Sequence, residues 1–451
     1  MKKCLIFGLS ITGVSAVKAL SRLGWDLTIL DSRTEQELEK TIEGLKAYEN
    51  LKYHLGENDI DLEGFDLLLK SPGIKPSLAI FDKAKELGIE VVSDLELAYR
   101  ISNTKHIIAV SGTNGKTTVV SLIAEILKTA GKKTQLVGNI GVGMLDYIFE
   151  SKEDDYFVIE TSSFQLEHTS TFKPEASLIT NITPDHIDWH GSFEAYANAK
   201  RKILNNQGEG DITVINIDDQ YLSQMEINNG ARLIKTSKEK INSDGAFVQN
   251  GKIFVSNNGH NIEIMDVSDI KLLGSHNLEN VLSAVALTYF IGIEPEKIKV
   301  AVSNFKGVEH RIEFVRDIGG VKFYNDSKGT NPESTIKAIE AVEAPIILIG
   351  GGYDKEANFD ELSEHYHKKV YLLILMGATR DKMRASALRS SFTNIELVDN
   401  MEEAVKLAFY SSESGTNVLL SPACASWGMY NNFEERGRDF KAIVGHLKER
   451  I

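Results

Sequence analysis

A short glycine-rich segment between two apolar stretches constrains this chain more than any other feature. It runs from Ser111 to Thr118 and reads Ser-Gly-Thr-Asn-Gly-Lys-Thr-Thr. An apolar run precedes it and an apolar-periodic stretch follows it, which predicts a strand, a loop and a helix. In that arrangement backbone N–H groups and a helix N-terminus face a phosphate group. The sequence therefore predicts an ATP phosphate site at Gly112, Thr113, Asn114, Gly115, Lys116, Thr117 and Thr118.

The spacing of this loop differs from that of the common phosphate-binding loop. Only two residues separate Gly112 from Gly115, and Val110 stands where the first glycine usually falls. A purely structural turn is therefore the alternative. The flanking strand and helix favour phosphate binding, with the Lys116 ammonium at the β- and γ-phosphate oxygens and the Thr117 hydroxyl facing Mg²⁺.

Size and charge exclude several classes of protein. With 451 residues, and about 150 residues per domain as a prior, we expect three domains. The net charge of −14 argues against nucleic-acid binding, which needs clustered Lys and Arg. No apolar run approaches the ~18 residues of a membrane span, and the cysteines Cys4 and Cys424 suggest no disulfide framework. A cytoplasmic enzyme fits these properties best.

Strand-like and helix-like runs alternate along the chain in three series, which predicts an α/β fold with parallel sheets. The first series fills residues 1–97. The second, at 98–304, carries the glycine-rich loop, and its segment from Gln207 to His276 is expected to form a small β insertion. The third series occupies residues 305–451.

The N-terminal series contains a second glycine loop, from Gly8 to Gly13, with Asp31 at the tip of the next strand. This pattern is similar to the dinucleotide-binding fingerprint, but Ser10 replaces the middle glycine, which weakens a NAD interpretation. Asp31 and Arg33 offer a carboxylate and a planar cation suited to a base or a ribose. The alternative is that Asp31 caps a loop and Arg33 is a solvated charge.

Polar residues follow two strands of the central series. Glu160 ends one strand, and His186 follows another a few residues on. Because ligands gather at the carboxyl ends of parallel strands, we expect both residues to converge with Lys116 and Thr117 on a Mg²⁺–phosphate site. Lys200 shares a helix face with Tyr196, and its spacing alone predicts a solvated lysine.

These residues resemble the Mur ligases, the ATP-dependent enzymes that add amino acids to the cell-wall precursor, and the resemblance covers the whole chain. Its motifs are Gly112 to Thr117, Glu160 with Ser162 to Gln165, Asp185-His186, Tyr196 to Lys200, His276-Asn277 with Asn280, His310-Arg311 and Asn325 to Lys328. The family has a short phosphate loop of this kind. It implies a Rossmann-like N-terminal domain, a central P-loop-type ATPase domain with a small β insertion, and a Rossmann-like C-terminal domain that binds the incoming amino acid and closes over ATP.

Within the family, the string from Asn325 to Asn331 is similar to that of the branch that adds D-glutamate to UDP-N-acetylmuramoyl-L-alanine. The segments from Ser421 to Ser426 and from Asn432 to Gly437 match the same branch. Gly329 departs from it, standing where alanine is expected. The resemblance implies that the substrate carboxylate attacks the γ-phosphate of ATP and that the D-glutamate amine displaces phosphate from the acyl phosphate.

The resemblance also implies the site residues. Substrate-binding residues in the UDP-linked site would be Ile11, Thr12, Asp31, Arg33, Ser71, Asn139, Ser162 and Gln165. Further ATP-site residues would be Asn277, Asn280, Arg311, Asp326 and Lys328. D-Glutamate would meet Thr330, Lys355, Ser426 and Phe433. Lys116, Glu160, His186 and Lys200 would be catalytic.

Two Mg²⁺ ions are implied, one held by Thr117 and Glu160 and one by His186 and a CO₂-derived carbamate on Lys200. The expected protein is a monomer that acts on small molecules, without a nucleic-acid or membrane partner. Two other functions predict different properties. A folylpolyglutamate synthetase should lack the N-terminal uridine-type domain and the Asn-Asp-Ser-Lys string. A nicotinamide-dependent dehydrogenase, or a nucleotide-binding regulatory module, should bind NAD(P) at Gly8 to Asp31 without turning over ATP.

Overall fold

Three sheets organise the chain in the computed structural model, which describes residues 2–272 and 274–448. The chain divides into two compact units. The first comprises Met1–Ile270 with Leu278–Ser303, and the second comprises Lys271–Asn277 with Asn304–Ile451. The first two sheets belong to the first unit and the third sheet to the second unit, and each unit is described separately below.

The N-terminal sheet has five strands, all parallel, in the order β3-β2-β1-β4-β5. Apolar side chains from both faces of β1 pack against helices, which explains the nearly continuous apolar sequence of that strand. The elements are β1 (Lys3–Phe7), α1 (Ile11–Arg22), β2 (Asp26–Asp31), α2 (Glu35–Glu43), β3 (Leu51–Leu55), β4 (Leu67–Lys70), α3 (Ala79–Glu86), β5 (Glu90–Val92) and α4 (Asp94–Ile101).

The central sheet has nine strands in the order β14-β13-β12-β11-β10-β9-β6-β8-β7, of which only the β12–β13 and β13–β14 pairs are antiparallel. Its elements are β6 (Ile107–Ser111), α5 (Lys116–Thr129), β7 (Thr134–Gly138), β8 (Tyr156–Glu160), α6 (Ser163–Leu166), β9 (Ala176–Ile179), α7 (Ile187–His190), α8 (Phe193–Arg201), β10 (Ile212–Asn216), β11 (Arg232–Ser237), β12 (Gly245–Gln249), β13 (Lys252–Asn257), β14 (His260–Asp266), α9 (Ser275–Phe290) and α10 (Pro295–Asn304).

The expected β insertion forms strands, but these strands extend the central sheet. β10 pairs in parallel with β9, and β11 and β12 continue the parallel order before the antiparallel β13 and β14 complete the edge. The sequence did not indicate which sheet these strands join, because strand pairing depends on backbone hydrogen bonds to segments far away in the chain.

The third sheet has six strands in the order β15-β16-β20-β17-β18-β19, with only β15–β16 antiparallel. Helices cover both faces, and two apolar clusters form the core on either side. The elements are β15 (Glu313–Ile318), β16 (Val321–Asn325), α11 (Pro332–Ala341), β17 (Ile346–Gly351), α12 (Asp360–Lys369), β18 (Val370–Met376), α13 (Arg380–Arg389), β19 (Ile395–Leu397), α14 (Met401–Tyr410), β20 (Asn417–Leu420) and α15 (Phe433–His446).

Candidate active site

The predicted phosphate loop connects β6 to α5 and passes very close to its neighbours. Gly112 and Gly115 have positive φ angles of 139° and 83°. A Cβ on Gly112 would lie 2.0 Å from the hydroxyl oxygen of Thr180, and a Cβ on Gly115 would lie 2.3 Å from Oδ1 of Asn280. Only glycine fits at these two positions. Asn280, predicted at the ATP site, therefore packs directly on the loop.

Asn181 holds the middle of the loop. Its backbone carbonyl accepts from the N–H of Thr113, and its Oδ1 accepts from the N–H of Asn114 at 2.9 Å. Gly115 caps α5 without a side-chain hydrogen bond, and the first turn of the helix has no acidic residue. The N-terminus of α5 can therefore receive an anion.

Two lysine side chains meet at one carbonyl in this loop. The Nζ atoms of Lys116 and Lys200 donate to the carbonyl oxygen of Gly112 at 2.9 and 2.6 Å. Lys116 also donates to the carbonyl of Thr113. The charge of Glu160 acts on Lys200 as well, so the structure brings these three predicted catalytic residues together.

The prediction of a solvated Lys200 from spacing alone was wrong. Its side chain is 2% exposed, and Nζ lies 4.6 Å from the centroid of the Tyr196 ring. Burial, together with a smaller effect of the nearby Lys116 charge, lowers the pKa of Lys200 to about 6 against the opposing charges of Asp185 and Glu160. Lys200 is therefore mainly a neutral amine at neutral pH.

Glu160 lies at the end of β8, beside the loop. It is paired in register with Val110 of β6, and its side chain is buried. Oε1 accepts a hydrogen bond from Asn139 Nδ2 at 3.2 Å, whereas Oε2 has no hydrogen-bond partner among the described residues. A buried carboxylate oxygen left free in this way is suited to a hard cation.

His186 precedes α7 and is exposed. It has a positive φ of 51°, and its ring contacts the edge of Phe164 at a centroid distance of 5.0 Å. Asp185 lies beside it, with Oδ2 at 3.6 Å from His186 Nε2. The imidazole is therefore held by Asp185, by Phe164 and by the Tyr196 ring, whose centroid lies 6.3 Å away.

In the N-terminal sheet, Asp31 and Arg33 form a bidentate pair. Arg33 Nε donates to Oδ1 of Asp31 at 3.0 Å and Nη2 donates to Oδ2 at 2.8 Å, while the backbone N–H of Leu9 donates to Oδ2 at 2.7 Å. Burial opposes the charged form, but these hydrogen bonds outweigh it and lower the pKa of Asp31. Asp31 thus fastens the Gly8 loop, as the loop-capping alternative expected, whereas Arg33 is paired rather than simply solvated.

The remaining predicted residues of the UDP-linked site also belong to the first unit. Ser71 donates to the carbonyl of Gly8 at 2.8 Å, and Ile11 is exposed while Thr12 is half-buried in the first turn of α1. Ser162 and Gln165 form a capping box on α6, and Gln165 Nε2 also donates to Asp94 at 3.2 Å. Their polar atoms therefore organise the segment that follows Glu160.

In the second unit, Asp326 is buried next to the loop after β20. Its Oδ2 accepts from the Ser421 hydroxyl at 2.7 Å and its Oδ1 accepts from the backbone N–H of Ile312 at 3.2 Å. Burial raises the pKa of Asp326 to about 7. Nearby, Arg311 Nε is buried without a hydrogen-bond partner among the described residues.

The predicted D-glutamate residues belong to the same unit. Lys355 is exposed, with Nζ 4.6 Å from the Trp427 ring centroid, and Ser426 is buried. Lys328 Nζ lies 5.7 Å from the Phe433 ring centroid. Thr330 is half-buried just before α11, and Asn277 lies in the first turn of α9.

Three matches to family models cover most of the chain. Residues 2–93 match the Mur ligase MurD-like N-terminal domain, 110–288 the Mur ligase middle domain, and 310–424 the Mur ligase glutamate ligase domain. A UDP-N-acetylmuramoylalanine--D-glutamate ligase of Caldanaerobacter subterraneus subsp. tengcongensis is 44% identical over 450 residues, covering 99% of both chains. The chain belongs to the Mur ligase family. A ligase of the same name from Clostridioides difficile is 43% identical over 447 residues, again covering 99% of both chains.

The fold of this Mur ligase is similar to solved structures of the family. The UDP-N-acetylmuramate-alanine ligase MurC of Thermotoga maritima aligns with a TM-score of 0.60 over 99% of both chains, at 18% identity. The family and the three-domain α/β fold expected from the sequence are thus confirmed. Mur ligases are ATP-dependent enzymes of peptidoglycan-precursor synthesis that use Mg²⁺. The domain bounds at 98 and 305 and the roles of single residues stay predictions.

Sequence reasoning gave no role to several residues that this Mur ligase places at the site. The charge of Asp185 raises the pKa of Lys200, opposing the effect of burial. The hydroxyl of Thr180 donates to the carbonyl of Asn114 at 2.6 Å. Arg436 is 1% exposed and donates to the Ser327 hydroxyl, the Ser327 carbonyl and the Cys424 carbonyl. Asp185 could have been predicted as a site residue from the sequence, because it is adjacent to the predicted site residue His186. Nothing in the sequence indicated that Arg436 would be buried.

Two further features concern a possible metal site and membrane-spanning helices. Glu309, His310 and Glu313 are close enough together to suggest a metal site, but the Lys441 ammonium already pairs with both carboxylates, at 2.6 and 2.8 Å. Within the described ranges, no helix has the length and apolar character needed to cross a membrane.

Proposed function

We propose that this Mur ligase joins D-glutamate to UDP-N-acetylmuramoyl-L-alanine at the expense of ATP. The observation that carries the proposal is the paired approach of Lys116 and Lys200 to the Gly112 carbonyl. It occurs in a chain whose full-length relatives are named D-glutamate ligases. The Asn325 to Asn331 string supports the same branch of the family.

The chemistry explains why ATP is required. A carboxylate is a poor acylating agent, so its oxygen first attacks the γ-phosphorus, forming a new O–P bond while the bond to the β-phosphate oxygen breaks and ADP leaves. The D-glutamate amine then attacks the acyl carbon. A C–N bond forms, the C–O bond to phosphate breaks, and the amine loses a proton. Lys116 and the N-terminus of α5 would stabilise negative charge on the transferring group.

The protein's donors fit a bound Mg²⁺ ion. Thr117 and Glu160 would hold it, and the free, buried Oε2 of Glu160 is the observation that supports this assignment. Bound Mg²⁺ would neutralise charge on phosphate oxygens. Asn139, which donates to the other oxygen of Glu160, would orient the carboxylate.

We assign a second Mg²⁺ to His186 and to a carbamate on Lys200. The lowered pKa of Lys200, about 6, supports this assignment because only a neutral amine attacks CO₂. In that step a C–N bond forms, the nitrogen loses a proton and a carboxylate results. The modification would also replace one of the two lysine amino groups that now share the Gly112 carbonyl.

The UDP-linked substrate would bind at the carboxyl ends of the N-terminal strands. Ile11 and Thr12 stand at the N-terminus of α1, where the cap Ser10 makes no side-chain hydrogen bond, so diphosphate oxygens could accept from backbone N–H groups. Asp31 and Arg33 would meet uracil. Residues further along the substrate would be Ser71, Asn139, Ser162 and Gln165.

Asn277, Asn280, Arg311, Asp326 and Lys328 would bind ATP, and Thr330, Lys355, Ser426 and Phe433 would bind D-glutamate. The cation of Lys355 and nearby hydroxyls are suited to carboxylates. The free, buried Nε of Arg311 supports a role with an anionic ligand. The monomeric state and the cytoplasmic location stay predictions.

The decisive assay is phosphate release from ATP with UDP-N-acetylmuramoyl-L-alanine, comparing D-glutamate with L-glutamate, L-alanine and diamino acids. We expect release only with D-glutamate and a product one glutamyl residue heavier by mass spectrometry. Lys116→Ala should be inactive, and the matched variant Lys128→Ala, at an exposed position of α5, should retain activity. Absence of D-glutamate-dependent release would refute the proposal, and NAD(P) binding without ATP turnover would favour the dehydrogenase alternative.

A further inference from the structure

Lys70 is a buried lysine that the proposed function leaves unused. It ends β4, pairs in register with Phe7 of β1 and precedes Ser71. Its side chain is 1% exposed, and its Nζ has no hydrogen-bond partner among the described residues. Burial of an ammonium group without such a partner is costly. A group of this kind in a native fold calls for an explanation.

One neighbouring charge, that of Glu167, favours the protonated form of Lys70. Burial lowers its pKa to about 8, although the Glu167 carboxylate opposes that shift. Burial also lowers the pKa of His168 to about 4, and the charges of Lys70 and Lys202 contribute to the same shift. His168 is therefore neutral while Lys70 is a cation.

A series of aromatic contacts connects Lys70 to the predicted metal ligand His186. Lys70 Nζ lies 5.7 Å from the centroid of the Trp189 ring, within the range of cation–π attraction. Trp189 packs on Phe164 with centroids 4.8 Å apart, and Phe164 contacts His186 at 5.0 Å. Phe164 also stacks on His190 at 5.5 Å, so the same ring contacts three residues of the segment from His186 to His190.

Besides Phe164, the His186 ring contacts only the Tyr196 ring, at a centroid distance of 6.3 Å, and the Asp185 carboxylate, at 3.6 Å, among the described residues. His186 is exposed, and its backbone has a positive φ of 51°, a conformation that persists only where the surroundings impose it. Trp189 is the residue of this series that contacts both Lys70 and Phe164. Loss of the ammonium would remove an attraction that fixes the indole ring and, through it, Phe164.

We propose that Lys70 is a positioning residue that holds His186 in place through Trp189 and Phe164. The inference rests on the proposed function, in which His186 binds Mg²⁺. It differs from a role in substrate binding, which the adjacent Ser71 would suggest. The contacts are all within the first unit.

The test compares the kinetics of Lys70→Met and Lys70→Arg in the full-length enzyme. Lys70→Met keeps an unbranched apolar side chain, one atom shorter than lysine, without the charge. We expect the Mg²⁺ concentration at half-maximal rate to rise about tenfold, as for other residues that orient metal ligands. The KM for UDP-N-acetylmuramoyl-L-alanine should stay within about twofold. Lys70→Arg, which keeps the cation, should restore most of the Mg²⁺ affinity.

Lys75→Met is the matched control, since Lys75 is an exposed lysine of the loop after β4. It should leave both parameters unchanged. An unchanged Mg²⁺ dependence in Lys70→Met would overturn the proposal, and so would a rise confined to the KM of the UDP-linked substrate. A merely structural role would lower the thermal midpoint without changing the Mg²⁺ dependence, and that result would also overturn it.

A second readout does not depend on activity. The full-length protein labelled with 5-fluorotryptophan has three ¹⁹F resonances, from Trp25, Trp189 and Trp427, which single Trp→Phe variants assign. Lys70→Met and His186→Ala should each shift the Trp189 resonance, whereas Lys75→Met should not. An unmoved Trp189 resonance in Lys70→Met would refute the contact even in an active enzyme. A wild-type enzyme that releases no D-glutamate-dependent phosphate would instead refute the proposed function.

Discussion

Lys116 and Lys200 donate to the same atom, the carbonyl oxygen of Gly112, although they belong to different helices. Burial of Lys200 and the nearby charge of Lys116 both favour the neutral form of Lys200. The arrangement gives a physical reason why this lysine, and not the exposed lysines of the same unit, would react with CO₂. Lys116 keeps a second acceptor in the Thr113 carbonyl.

Lys200→Ala should therefore lower the rate of D-glutamate ligation by roughly 100-fold or more, the loss seen when a transition-state stabilising group is removed. Formate or acetate should restore part of the rate, because a small carboxylate can occupy the space left by the carbamate. Lys128→Ala, with an exposed lysine replaced, should be fully active and insensitive to formate. The measurement is phosphate release at saturating substrates, and an active variant without rescue would remove Lys200 from the metal site.

Gly329→Ala should weaken the second unit and the ATP site together. A Cβ at this position would lie 2.5 Å from Asp326 Oδ2 and 2.9 Å from the Ser421 hydroxyl oxygen, so it would open the hydrogen bond between them. We expect a loss of about 1–3 kcal/mol in stability, typical of overpacking, and a higher KM for ATP. Thermal unfolding and steady-state kinetics give the two measurements.

Gly445→Ala is the control for that prediction. Gly445 lies in α15, and a Cβ there would meet nothing within 4 Å. Because alanine is the better helix former, the control should be as stable as the wild type or slightly more stable. If Gly329→Ala behaved like Gly445→Ala, the close approach of Gly329 to Asp326 would contribute neither to stability nor to the KM for ATP.

The sequence predicted the buried strands well and the polar edge poorly. Val370–Met376 is a continuous apolar run, and the structure has β18 at the same residues. The edge strand β15 carries charged residues and pairs antiparallel, so no apolar pattern indicated it. Burial along an edge depends on neighbours that the local sequence does not contain.

The same limit applies to the site. The glycine-rich loop was predictable because phosphate binding needs a local strand, loop and helix. The burial of Lys200 and Arg436 was not, because each packs against segments far away in the chain: Lys200 on Gly112, and Arg436 on Ser327. Spacing along a helix shows which residues share a face, but not which face is covered.

Asp326 should make stability depend on pH. An Asp carboxyl in the unfolded chain has a pKa of about 4, whereas burial in the folded chain raises the pKa of Asp326 to about 7. Between these values the folded chain binds a proton that the unfolded chain lacks. The stabilisation from that proton is complete below about pH 4 and is lost as the pH rises to about 7.

Asp326→Asn cannot titrate, so it should gain stability relative to the wild type between pH 5 and pH 8, by on the order of 2 kcal/mol. Thermal unfolding without nucleotide at both pH values measures the difference. Asp381→Asn, at an exposed position of α13, should show no such change. Equal shifts in the two variants would mean that the Asp326 carboxyl stays ionised at pH 5.

Arg436→Lys should disturb both loops that carry predicted ligand-binding residues in the second unit. The guanidinium donates to the Ser327 hydroxyl at 2.9 Å, to the Ser327 carbonyl at 2.8 Å and to the Cys424 carbonyl at 3.1 Å. These bonds tie the segment before Lys328 to the segment before Ser426. A lysine has no planar fork and cannot make all three bonds, so buried acceptors would be left unpaired.

We expect Arg436→Lys to lose about 3 kcal/mol of stability and to raise the KM values of both ATP and D-glutamate, while the KM for the UDP-linked substrate stays near that of the wild type. Arg438→Lys, two residues along α15 and exposed, should match the wild type in every parameter. The discriminating result is the pattern of KM values. A rise confined to one of the two ligands would mean that Arg436 supports only one loop, and unchanged KM values with lower stability would reduce its role to packing.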